Sequence, residues 1–112
     1  MDKTPQAIQS CHELLVWLIP LLDKFPRQRR FTLGERIENA VLDVLEALVA
    51  AAYSQDKRAD LLQANRRINT ARHLWRMAFE LKTIGHKAYA QGSERMVELG
   101  RQIGGWRKQV PL

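Results

Sequence analysis

Seven positions near the C-terminus, Tyr89, Gly92, Met96, Leu99, Ile103, Trp106 and Val110, follow one another at steps of 3, 4, 3, 4, 3 and 4. This rhythm keeps one stripe of an α-helix turned toward a neighbouring helix, as in coiled-coil packing. A strand cannot use it, because a strand changes face at every residue. A helix with such a seam needs other helices to bury it, so the rest of the chain must supply them.

The rest of the chain reads as helix throughout. Ala, Leu, Glu, Arg and Gln dominate, and period-2 alternation is absent. The first helix is predicted from Pro5 to about Lys24, with Thr4 as N-cap and Pro5 at the first helical position. Pro20 should kink it or loosen its last turn. Phe25-Pro26-Arg27-Gln28-Arg29-Arg30 follows as a link, in which Pro26 blocks helix continuation and the arginines are solvated. Thr32-Leu33-Gly34-Glu35 fits a capping box that starts the second helix, with Phe31 before the cap stapled onto Arg36 or Ile37. That helix continues through Ile37, Val41, Val44, Leu45, Leu48 and Ala52 to about Tyr53, and Ser54-Gln55-Asp56 makes the turn. The third helix is expected from about Asp56 to Thr83, ended by Gly85, and the fourth from about His86 to Gln109. Four helices joined by short turns predict an all-α, antiparallel up-down-up-down four-helix bundle, one domain over residues 1–112.

Beside the seam of the fourth helix runs a row of small residues, Ser93, Val97, Gly100 and Gly104. A glycine inside a helix costs about 1 kcal/mol relative to alanine. Gly100, Gly104 and Gly105, with Trp106, are therefore expected to be packing or interface positions where another helix backbone comes close; a flexible C-terminal hinge is the alternative. The hydrophobic fraction of 46% suits one modest core in 112 residues and is too high for disorder. Cys11 is the one cysteine, so disulfides cannot hold the fold, which suits a reducing cytoplasm. The apolar run Leu14 to Leu22 falls well short of the roughly 20 residues of a membrane span. No basic n-region or small-residue cleavage site marks a secretory leader.

The net charge is +6, and Arg outnumbers Lys 12 to 6. Arg makes forked contacts to phosphate and stacks on bases. The charge is uneven: residues 23–30 carry +3, 56–85 carry +4 and 86–112 carry +3, against −3 for 31–55 and −1 for 1–22. At about 100° per residue, the third helix places Leu61, Ile68, Ala71, Leu74, Trp75, Ala78 and Leu81 on one side. Arg58, Asn65, Arg66, Asn69, Arg72, His73 and Arg76 fall on the other. A solvated face ordinarily mixes Glu with Lys for i,i+4 pairing. Here the one acidic member of the stripe is Glu80, at its far end. Arg58, Arg66, Arg72 and Arg76, within about 120° of arc, are the candidate phosphate-tracking residues, extended by Arg27, Arg29 and Arg30. Arg67 lies nearer the apolar side and is expected to bridge to Glu38 or Asp43.

Catalytic patterns are missing. No phosphate-binding glycine loop, dinucleotide fingerprint or H-E-x-x-H occurs. His12, His73 and His86 are scattered, Cys11 and His12 point to different sides of a helix, and no His stands three after a Glu, as a helical di-metal site requires. Trp17, Trp75 and Trp106 read as core and interface anchors. The chain is thus expected to be no enzyme and to hold neither metal nor cofactor.

The run Phe25-Pro26 … Arg30-Phe31-Thr32-Leu33-Gly34-Glu35-Arg36-Ile37-Glu38-Asn39 resembles the start of the second helix in Avd, the accessory protein family of diversity-generating retroelements. So do Ala64-Asn65-Arg66-Arg67 and the ending Glu98-Leu99-Gly100-Arg101-Gln102-Ile103-Gly104-Gly105-Trp106. Together the resemblance spans about residues 13 to 108. Related intervening-sequence proteins, encoded inside ribosomal RNA genes, share the first and last motifs. A structural or adaptor bundle of that type is the alternative. The resemblance to Avd implies a four-helix bundle that assembles into a ring-shaped homopentamer. It implies as partners a reverse transcriptase and its template RNA/cDNA, copied with errors at adenines to diversify a target gene. The polymerase chemistry would then belong to the partner.

Overall fold

The computed structural model describes residues 5–111, which form four helices and, among those residues, no strand. Thr4, the expected first cap, lies outside them. Pro5 holds the N-cap position, so the helix starts one residue later than expected, with an extended backbone at Pro5 (φ −53°, ψ 141°). Its carbonyl accepts from the amides of Ile8 and Gln9. Helix α1, Gln6–Leu22, runs through the exposed Pro20 and then tightens: the amides of Lys24 and Phe25 donate to carbonyls three residues back, on Leu21 and Leu22.

The expected link is helical. Pro26 acts as an N-cap, and its carbonyl accepts from the amides of Arg29 and Arg30. Helix α2 therefore opens with a turn over Arg27–Arg29, widens into a π-helical turn over Arg30–Gly34, and continues as the α-helix Glu35–Tyr53. The capping box does not form. The hydroxyl of Thr32 donates backward, to the Gln28 carbonyl at 2.7 Å, the acceptor that an α-helical turn would otherwise use. Arg30, expected in solvent, has a side chain only 20% exposed and spans Asp23 (3.1 Å) and Glu38 (3.0 Å). Gly34 is buried, and a Cβ there would lie 3.2 Å from the ring of the buried Phe25.

Helix α3, Arg58–Glu80, is closed by Lys82 rather than by Gly85. Lys82 takes a left-handed conformation (φ 61°). Its amide donates to the Phe79 carbonyl and that of Thr83 to the Ala78 carbonyl, the pair of bonds that closes a Schellman motif. Gly85 instead precedes α4, His86–Gln109. At the other turn, the Lys57 ammonium donates to the carbonyls of Ala51 (2.8 Å) and Ser54 (2.7 Å), a cation on the negative end of α2.

α1 packs on α2, α2 on α3, α3 on α4, and α4 back on α1. The molecule measures 43 × 25 × 22 Å. Leu14, Leu18 and Leu22 meet Ile37, Val41, Val44, Leu48, Leu61, Ile68 and Trp75 in the core. The predicted seam of α4 faces it: Gly92, Met96, Leu99 and Ile103 are buried, and Tyr89, Trp106 and Val110 pack against them. On α3 the predicted apolar side is likewise buried, apart from half-buried Leu74 and Leu81, which lies past the helix end and is exposed. The Cys11 thiol is enclosed, and burial pushes it up to about 12. No helix of the described residues is long and apolar enough to cross a membrane.

Candidate nucleic-acid interface

α3 is held by its inner face, and this fixes what its outer face presents. Trp75 is fully buried, its Nε1–H donates to the Tyr89 carbonyl at 3.1 Å, and its ring meets Trp17 edge-on at 6.1 Å. One such anchor, with Leu61, Ile68, Ala71 and Ala78 in the same core, sets the rotation of the helix. Arg58, Arg66, Asn69, Arg72, His73 and Arg76 are consequently exposed, and Asn65 is half-buried.

The arginines of this stripe differ in what they already hold. Arg58 grips Asp56 with a fork, Nε to Oδ1 and Nη2 to Oδ2, each at 3.0 Å. The guanidinium holds the Asp56 carboxyl down at about 2. Arg76 pairs with Glu80 at 3.0 Å, one turn on. Among the described residues no carboxylate lies within ion-pair distance of Arg66 or Arg72. These two are the unneutralised cations of the face. Arg67 leaves the stripe and reaches Asp43 of α2 at 3.2 Å, one of the two acids expected for it.

Arg72, Arg76, His73 and Asn69 form one wall of a groove of about 320 Å³, whose other wall is Tyr89, Ser93 and Val97 of α4. The stripe thus continues onto a hydroxyl and an aromatic that the helical wheel of α3 could not include. Tyr89 is stacked on Phe79 at 4.3 Å, which fixes that wall.

The match to a family model settles the relationship: the bAvd-like model covers residues 7–110. The chain belongs to the bAvd-like family. It is therefore an Avd-like accessory protein of diversity-generating retroelements, as the motifs around Phe31 and Gly104 implied. A search of curated proteins found no match.

The other predicted residues of this Avd-like chain fall in three places. Arg27 is exposed and Arg29 half-buried in the first turn of α2, while Arg30 is committed to Asp23 and Glu38. Of the expected close-packing glycines, Gly100 would bring a Cβ no nearer than 4.0 Å to Ile68, and Gly104 and Gly105 face open space. The close approach is made instead by Gly92, whose Cβ would lie 2.6 Å from Cε2 of Trp75. Trp106 is half-buried and borders a groove with Ile8, Val49, Ala52, Tyr53 and Gly105 at one end of the bundle. Among the described residues no three His, Cys, Asp or Glu side chains are grouped to hold a metal ion.

Proposed function

We propose that this Avd-like protein is a non-catalytic accessory that binds the template RNA/cDNA and the reverse transcriptase of its retroelement in the cytoplasm. The nucleic acid lies along the outer face of α3. The observation that carries this reading is the pair Arg66 and Arg72, exposed on one face with no carboxylate partner among the described residues, in a chain of net charge +6. Guanidinium groups spaced along a helix suit successive phosphates. Such contacts give affinity and position with little sequence preference, as a scaffold that serves a copying enzyme requires. The enzymatic step belongs to the partner.

The short connections over residues 23–26, 54–57 and 81–85 support an antiparallel up-down order of the helices. We propose a ring of five copies, the assembly that the resemblance to Avd implies. Such a ring multiplies the charge of each chain fivefold, and Gly100, Gly104, Gly105 and Trp106 are the proposed contacts between copies. The open space at Gly104 and Gly105 in the single chain leaves room for a neighbour there.

The test is a filter-binding titration of template RNA against the wild type and an Arg66→Glu/Arg72→Glu/Arg76→Glu variant. The variant keeps its helical circular dichroism and loses RNA binding. A folded variant that binds like the wild type removes α3 as the interface.

A further inference from the structure

A second surface on this chain combines an exposed aromatic ring with unpaired cations. The π-helical turn Arg30–Gly34 puts one extra residue into the start of α2. Phe31, expected to fold down as a staple, is instead 66% exposed. Leaving a phenylalanine in water forgoes much of the stabilisation that its burial would provide, and π-turns concentrate at functional sites. Arg30 stands 6.0 Å over the ring and is itself held by Asp23 and Glu38, which braces the ring on that side.

Phe31 lines a groove of about 600 Å³. Its other walls include the apolar Met77 and Leu81, both exposed, at the far end of α3. Arg29 and Arg36 open onto the same groove, and neither has an ion-pair partner among the described residues. Glu35 and Asn39 also line it. A carboxylate in the groove argues against a bare phosphate ligand. A carboxylate and an amide beside an aromatic ring, however, suit the donor-rich edge of a base, and two guanidinium groups suit the phosphates on either side of it.

We propose that this groove accepts an unpaired nucleobase of a single-stranded nucleic acid. The base stacks on Phe31 and presents its edge to Glu35 and Asn39, while Arg29 and Arg36 take the flanking phosphates. A base inside a duplex hides both its face and its pairing edge, so the site discriminates single strand from duplex, which the phosphate-tracking face of α3 does not. The assignment rests on the chain's binding nucleic acid, as proposed above, and adds to it which form of nucleic acid is held.

The experiment measures fluorescence anisotropy of a short labelled RNA, single-stranded or annealed to its complement, with the full chain. Wild type, Phe31→Ala, Phe31→Trp and the triple α3 variant are compared. Phe31→Ala weakens single-strand binding by roughly 5- to 150-fold, the effect of losing one stacked base, and leaves duplex binding unchanged. Phe31→Trp restores it. The α3 variant weakens both forms. If Phe31→Ala affects both forms equally, or neither, the base site is overturned while the α3 interface stands. A wild type that binds neither form overturns both. A nucleoside monophosphate that competes as well as the strand overturns the assignment to a strand. Light scattering on Phe31→Ala that shows altered assembly with intact RNA binding makes the groove a contact between copies instead, and also overturns the proposal.

Discussion

Gly92 of α4 lies flat against the indole of Trp75 on α3, so close that an added Cβ would stand 2.6 Å from Cε2 and 2.7 Å from Cζ2 of that ring. The indole cannot yield: it is fully buried, meets Trp17 edge-on and is tied by its N–H to the Tyr89 carbonyl. α3 and α4 are therefore set at a separation that only glycine permits, and the outward face of α3 is set with them.

Gly92→Ala should destabilise the chain by about 1–3 kcal/mol, the usual range for forcing a group into a filled core, even after the gain of about 1 kcal/mol in helix propensity. Gly104→Ala should do the reverse and gain about 0.5–1 kcal/mol, since nothing within 4 Å opposes it. Urea unfolding of both variants checks the pair. A Gly104→Leu chain that folds normally yet sediments as a smaller species places Gly104 between copies of the proposed ring.

Lys82 carries the left-handed residue that closes α3, at φ 61°. A side chain in that conformation costs roughly 1–2 kcal/mol, a penalty that glycine escapes. Lys82→Gly should therefore raise stability by about 1 kcal/mol, read as a higher urea midpoint. Gly85→Ala should be close to neutral, because Gly85 has an extended backbone (φ −81°, ψ 173°) and an open surrounding.

These two glycine sites show what was legible. The spacing of Gly92, Met96, Leu99 and Ile103 reports a buried stripe without any knowledge of the partner, because periodicity is local to one helix. Whether Gly92 or Gly104 meets a bulky neighbour depends on where Trp75 falls on another helix. Gly85 attracts the prediction of a helix end, yet α3 stops at Glu80 and Lys82 closes it.

Thr32 misled for a similar reason. A threonine three residues before a glutamate fits a cap, but Pro26 had already started the helix, and the same hydroxyl serves equally well to bond backward to Gln28. At the candidate interface the exposed positions of α3 were legible from the wheel. The state of the arginines was not, since the fork of Arg58 on Asp56 and the single bond of Arg76 to Glu80 depend on turn geometry and rotamers. Phe31 and Arg36 went unrecognised as one surface because the π-turn that exposes the ring leaves no periodic signature.

The Asp56–Arg58 fork gives a pH signature. Hydrogen bonds from Arg58 hold Asp56 at about 2, below its ordinary 3.8. A carboxyl depressed in the folded chain contributes stability above its ordinary value and loses it as pH falls through the depressed one, here between 3.8 and about 2. Both groups are exposed, so added salt weakens the effect. Side-chain carboxyl chemical shifts followed with pH should place the Asp56 midpoint near 2 in the wild type and higher in Arg58→Ala, though still below 3.8, because the backbone amide of residue 58 continues to donate to the carboxylate.

Arg66 and Arg72, the arginines of α3 without an ion-pair partner among the described residues, are the proposed contacts to RNA phosphates. Each phosphate contact on a single strand contributes about 0.7 to the slope of log affinity against log salt concentration. The slope measured for an Arg66→Ala/Arg72→Ala chain should therefore be shallower than that of the wild type by about 1.4, with the helical spectrum preserved. A folded double variant with the wild-type slope would contradict the claim and move the RNA off this face.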